Sequence, residues 1–140
     1  MRRGLFLLVS LLAVASVFVL ASCSSSKAGQ NTGSKGISQE ESQEIARQYV
    51  INDSTFQFDG IMETLALANT ITLKCLYCWE FAYQFDCRQA GYGNRTGLMV
   101  AQVITPHTAR IVVGEGRITS AVMDGKWDMM GQKDIGNNTT

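Results

Sequence analysis

Trp79-Glu80-Phe81-Ala82-Tyr83-Gln84-Phe85-Asp86-Cys87 decides the fold class. Every second residue is large and aromatic, or a cysteine, and those between are small or polar. Side chains of a strand point alternately to its two faces, so a period of two predicts a strand with one buried aromatic face and one solvated face. Downstream, Leu98 to Thr105 reads as a further strand. Pro106 cannot donate to a ladder, so it marks an edge, a bend or a bulge. Thr108 to Val113 and Arg117 to Met123 flank Gly114-Glu115-Gly116, a three-residue hairpin signal. Upstream, Thr64-Leu65-Ala66-Leu67 and Thr70-Ile71-Thr72-Leu73 also alternate.

Ahead of the strands stands one helix. Ser38 followed by Glu41 has capping-box spacing, in which hydroxyl and carboxylate each bond the other's backbone amide. Ile45, Ala46, Tyr49 and Val50 share a face at helical period, and Asn52-Asp53-Ser54 ends the run. The pattern predicts a helix over 38–51. A helix followed by consecutive strands on short connections predicts an α+β fold: an N-terminal helix packed on a four-stranded antiparallel meander. By analogy the shape is cystatin-like or PepSY-like, which by itself assigns no function.

Composition bounds the rest. The 140 residues suit one domain. Apolar residues at 46% against 17% charged exclude wholesale disorder. A formal net charge of zero gives no basic field to attract nucleic acid. One histidine, His107, rules out a multi-histidine metal site within one chain.

Residues 1–22 read as an address. Arg2 and Arg3 precede an apolar run from Leu5 to Ala21, and Leu20-Ala21-Ser22-Cys23 follows. A basic start, an apolar core and small residues before a cut mark a secretory signal. The run's 17 residues span about 25 Å as a helix, short of the roughly 30 Å hydrocarbon core. Leu20-Ala21-Ser22-Cys23 resembles the lipobox of prokaryotic lipoproteins. The resemblance implies cleavage before Cys23, diacylglycerol on its thiol and further acylation of the new N-terminus. It also implies a cell-membrane or outer-membrane location facing the periplasm or the exterior. Ser24, rather than Asp, after the cysteine favours the outer membrane in a Gram-negative host. Loss of Arg2 and Arg3 leaves 10 basic against 12 acidic residues, so the acyl chains, not surface charge, must supply membrane affinity. Residues 23–36, rich in Ser and Gly, read as the lipidated cysteine and a flexible tether. The folded unit is expected over 37–130 and a polar tail over 131–140.

The segment from Ser54 to Met130 resembles an uncharacterised group of prokaryotic secreted proteins and lipoproteins. The shared stretches are Ser54-Thr55-Phe56-Gln57-Phe58-Asp59-Gly60, Gly91-Tyr92-Gly93-Asn94-Arg95-Thr96-Gly97, Ile104-Thr105-Pro106-His107-Thr108-Ala109 and Trp127-Asp128-Met129. Asn94 departs from the group, where Asp is usual. The resemblance implies no activity.

Candidate chemistry is sparse. Cys75-Leu76-Tyr77-Cys78 is a C-x-x-C without the βαβ context of thioredoxin-like proteins. Outside the cytoplasm a structural disulfide is expected. Of three pairings among the mature thiols, Cys75–Cys78 is preferred, with Cys87 as a buried thiol. A redox role for the pair is the alternative. Cys75, Cys78, Cys87 and His107 could number four zinc ligands, but Cys87 shares the face of the core aromatics. No metal or cofactor is expected. The loop from Gly91 to Gly97 lacks the Gly-Lys-Ser/Thr ending of a phosphate cradle and is followed by a strand. It reads as a glycine-permitted turn in which Arg95 meets an anion or braces against Asp86 or Asp128. Tyr92, Asn94, Arg95 and His107 form the candidate binding loop, because loops carry function disproportionately. His107 has no nucleophile at useful spacing, so no catalytic residue is assigned. The expected function is a non-catalytic, lipid-anchored binding domain for an envelope protein or peptide. A modulator of secreted peptidases, by the fold analogy, is the second expectation, and a thiol redox protein the third.

Overall fold

The computed structural model describes residues 36–136. The signal segment, Cys23 and the tether as far as Lys35 lie outside the described residues.

The helix forms where its caps and apolar spacing place it. α1 spans Gln39–Asn52 with Ser38 as N-cap, and both bonds of the capping box are made. The Glu41 amide donates to the Ser38 hydroxyl over 3.1 Å, and the Ser38 amide to the Glu41 carboxylate over 2.9 Å. Asp53 ends α1 and at once caps a short second helix, α2 (Ser54–Asp59), by accepting from the Thr55 amide. A single 3-10 turn, Met62–Thr64, then leads into the sheet.

The sheet is an antiparallel meander in which every strand pairs with its chain neighbour. Its strands are β1 (Ala66–Thr72), β2 (Cys78–Cys87), β3 (Thr105–Gly114), β4 (Arg117–Met123), β5 (Trp127–Asp128) and β6 (Lys133–Asp134). One face carries Phe81, Phe85, Ile111, Val113 and Met123, all buried, and α1 lays Ala46 and Val50 across it. The α+β class and the helix on an antiparallel sheet therefore match the sequence pattern. The strand count does not: there are six strands, not four.

Three differences have physical causes. The two alternating stretches near Thr64 and Leu73 merge into one strand with a bulge at Ala68. The extra residue flips the alternation, so Leu67 stands opposite Tyr83 but Ile71 stands opposite Glu80 on the other face. Leu98 to Ile104 is not a strand; only Thr105 enters β3. β2 is already paired on both sides, by β1 and by β3, and β3 is flanked by β2 and β4. The inner strands β2 and β3 therefore have no vacant side for the preceding segment to join, and it pairs with neither outer strand, β1 nor β6. Finally, β5 and β6 are two residues each, too short for alternation to register, and they take Gly131 to Asp134 of the expected tail into the fold.

Pro106 lies inside β3 opposite Asp86. The Asp86 amide bonds the Thr64 hydroxyl at 2.8 Å, and its carbonyl accepts from the Ile61 amide at 2.8 Å. Asp86 thus spends both backbone groups on the side away from β3, so the proline removes no ladder bond at this pair.

Candidate functional site

The connection from Arg88 to Ile104 folds back over α2 and the end of the sheet, and three glycines let it turn. Gly91, Gly93 and Gly97 all take positive φ. Gly93 is the most constrained. Its φ is +67°, its amide donates to the Thr55 hydroxyl at 2.9 Å, and an added Cβ would lie 3.1 Å from the Trp127 ring.

Arg95 turns inward from this loop and is 2% exposed. It forms an ion pair with Asp59 of α2 and donates to the Gly91 carbonyl at 2.6 Å. Its guanidinium also lies 4.7 Å from the centre of the Phe58 ring, in cation–π range. The brace is therefore Asp59, not Asp86 or Asp128.

His107, on β3, is also 2% exposed. Its Nδ1 lies 2.7 Å from the Asp124 carboxylate, which also accepts from the Thr108 amide at 2.7 Å and the Tyr92 hydroxyl at 3.1 Å. A neutral imidazole bonded in this way carries its proton on Nδ1. Nε2 is buried and has no hydrogen-bond partner among the described residues. Tyr92 stacks on Trp127 at 5.5 Å and meets the His107 ring at 5.4 Å, and Phe85 meets the same ring at 5.6 Å. Burial, then the charge and hydrogen bond of Asp124, push the Tyr92 hydroxyl up to about 12. For Asp124 burial alone would raise the carboxyl. The hydrogen bonds from His107, Thr108 and Tyr92, with the attraction of the imidazole, outweigh burial and hold it below the ordinary carboxylate value.

A lowered folded pKa contributes stability above the unfolded pKa, and that stability is lost as pH falls through the folded one. Asp124→Asn keeps an acceptor for the Thr108 amide but cannot ionise. Unfolding by urea should show the wild-type advantage at neutral pH and convergence of the two proteins below about pH 4. Parallel pH profiles would show that the charge of Asp124 contributes nothing.

Of the candidate loop residues, Tyr92, Arg95 and His107 belong to one internal network. Asn94 stays exposed, where its side chain accepts from the Thr96 amide at 2.9 Å and the Thr96 hydroxyl at 2.7 Å. Four stretches of the chain, residues 54–60, 91–97, 104–109 and 127–129, meet here through Thr55, Phe58, Asp59, Gly93, Arg95, His107 and Trp127. Asp59 and Asp124 were not legible as partners, because they lie 36 and 17 residues from Arg95 and His107. Gln132 was missed as well. It donates to the Asp53 carboxylate at 2.9 Å and contacts the Ser54 hydroxyl, clipping the last turn to the junction of α1 and α2.

Cys75 and Cys78 are bonded across the β1–β2 turn, with Cα atoms 5.5 Å apart. Cys75 is exposed and Cys78 buried. Cys87 is a free, fully buried thiol. Burial, with the neighbouring Asp59 carboxylate, pushes it up to about 12 despite the opposing effect of Arg95. The folded protein at pH 8 should therefore resist iodoacetamide and take one label per chain at Cys87 only in denaturant, as mass spectrometry of the Cys87 peptide would show. Fast labelling without denaturant would contradict this placement. Among the described residues no three His, Cys, Asp or Glu side chains gather as a metal set. A cleft of about 390 Å³ opens beside His107, which lines it together with Thr64, Gln84, Phe85, Asp86, Pro106 and Thr108.

Comparison with protein-family models, with curated proteins and with solved structures finds no match.

Proposed function

We propose that the chain is a lipid-anchored, non-catalytic binding domain held by Cys23 on the extracytoplasmic side of a membrane. One observation carries the binding part. The side chains that chemistry would recruit, Arg95, His107 and Cys87, are sealed inside as braces and packing, while the loop they brace turns uncharged apolar residues outward. Leu98 is 64% exposed, Val103 54% and Ile104 57%. Exposed apolar stretches of this kind mark contact surfaces. The anchor rests on Leu20-Ala21-Ser22-Cys23 and the Ser/Gly tether behind it.

Two further readings each have one support. The single helix across an antiparallel meander is the arrangement of cystatin-like and PepSY-like domains, and on that likeness the domain is a modulator of secreted peptidases. The bonded Cys75–Cys78 pair, with one member at the surface, supports a thiol redox role, which predicts reduction of insulin by the dithiol form.

The anchor is tested on the mature N-terminal peptide. Mass spectrometry should find a peptide starting at Cys23 with added acyl mass, and Cys23→Ser should leave an unprocessed or released protein with the fold intact. A start elsewhere, or Cys23 without acyl mass, would overturn the anchor.

A further inference from the structure

Leu98-Met99-Val100-Ala101-Gln102-Val103-Ile104 combines three properties. It contains no charge, glycine or proline. Leu98, Met99, Val103 and Ile104 are each more than half exposed, and Met99 is at the limit, 104%. Its backbone is open: the amides from Met99 to Ile104 donate to no acceptor among the described residues. The carbonyl of Ala101 accepts from the Ala90 amide at 3.0 Å and that of Val103 from the Thr105 hydroxyl at 2.9 Å, so only these two carbonyls of residues 99–104 are taken among the described residues. Both of its ends are fixed, because Arg95 is locked against Asp59 and Thr105 begins β3. An uncharged, β-prone stretch with an open backbone edge is a template for another strand.

The pattern also indicates which strand. Read about Ala101, the segment is nearly symmetric in character. Antiparallel pairing with an identical segment sets Leu98 opposite Ile104, Met99 opposite Val103 and Val100 opposite Gln102. Every apolar residue at the ends meets another, and no like charges oppose. We infer that this loop is the two-fold contact of a homodimer, formed by antiparallel pairing of residues 98–104 from two copies. The inference names the partner for the apolar loop, so it rests on the binding part of the proposed function and not on the anchor. A seven-residue ribbon is smaller than the roughly 1,200 Å² of a standing interface. The dimer is therefore a weak one in free solution.

The register makes the test specific. The full chain is studied in density-matched detergent by sedimentation equilibrium, from micromolar to millimolar protein. The wild type should show a monomer–dimer equilibrium. Met99→Lys with Val103→Lys places ammonium opposite ammonium twice across the two-fold and should weaken association about tenfold or more. Met99→Lys with Val103→Glu carries as many new charges in complementary positions and should restore it. Both variants change exposed side chains only, so unaltered thermal unfolding checks the fold. Ala101→Cys should cross-link copy to copy under mild oxidation, and Thr119→Cys, exposed on β4, should not. Wild-type protein that stays monomeric, or equal effects of the two charge variants, would overturn the dimer. A monomer that still loses capture of an envelope protein through the Lys/Lys variant would leave the binding reading standing and sink only the self-pairing. A monomer whose loop variants change no binding would sink both.

Discussion

Asp59→Ala should destabilise the domain by about 3–5 kcal/mol, because it leaves a buried guanidinium without its counter-charge. The Arg95 side chain is 1% exposed and that of Asp59 7%, so water can replace neither. Domains of this size have a total stability of about 5–15 kcal/mol, so one substitution removes a large fraction of it. The loss comes from desolvation, not from the Coulomb attraction taken alone. Replacing both partners with apolar residues of similar size, Asp59→Leu with Arg95→Met, should accordingly be far milder than the single change. Arg95 does more than pair, since it also holds the Gly91 carbonyl and covers Phe58. Some loss in the double variant is therefore expected. Urea unfolding followed by tryptophan fluorescence decides the matter. A single variant no worse than the double would mean that the pair is solvated.

Phe85→Ala should cost a comparable amount, about 3–5 kcal/mol, through lost burial and an unfilled cavity. Phe85 is 2% exposed and stands at the centre of a chain of rings. Its centroid is 5.0 Å from that of Phe56, edge to face, and 5.6 Å from that of His107. The ring therefore joins α2, β2 and β3 at one point. Removing it should also loosen His107, and with it the hold of Tyr92 on the loop. Amide hydrogen exchange should show faster exchange over residues 91–97 in Phe85→Ala than in a core variant of similar cost elsewhere, such as Ile111→Ala. Phe85→Leu keeps most of the volume and should cost under about 1.5 kcal/mol. Equal exchange in the two alanine variants would show that Phe85 contributes only to the global core.

The parts of the fold that were legible in the sequence are those governed by local period. The Ser38–Glu41 spacing predicted the start of α1, and the aromatic alternation of Trp79 to Cys87 predicted β2 and its buried face. The Gly114-Glu115-Gly116 signal predicted the β3–β4 hairpin but not its length: Gly114 pairs with Arg117, so the turn has two residues, Glu115 and Gly116, both at positive φ. Leu98 to Ile104 does not form a strand because strand propensity is a property of the residues, whereas strand formation needs a pairing partner, and the adjoining strands β2 and β3 are already paired on both sides. α2 was hidden by its six residues, too few to show a helical period. The site was legible in its members and not in its wiring. Tyr92, Arg95 and His107 stood out as residue types, but their burial depends on Asp59 and Asp124, which nothing local connects to them.

Neighbour-to-neighbour pairing along the whole sheet also orders events in time. Four of the five ladders close over short turns, so β1–β2, β3–β4, β4–β5 and β5–β6 can each zip within their own stretch of chain. The ten-pair ladder between β2 and β3 must first close the long excursion from Arg88 to Ile104. Closing that loop costs entropy before any contact repays it, and contacts of longer sequence separation form later. The barrier to folding should therefore lie at this one closure, with Gly91, Gly93 and Gly97 setting how readily the chain comes round. Substitutions in the loop would then appear in the refolding rate, whereas changes at the β5–β6 clip would appear mainly in the rate of unfolding.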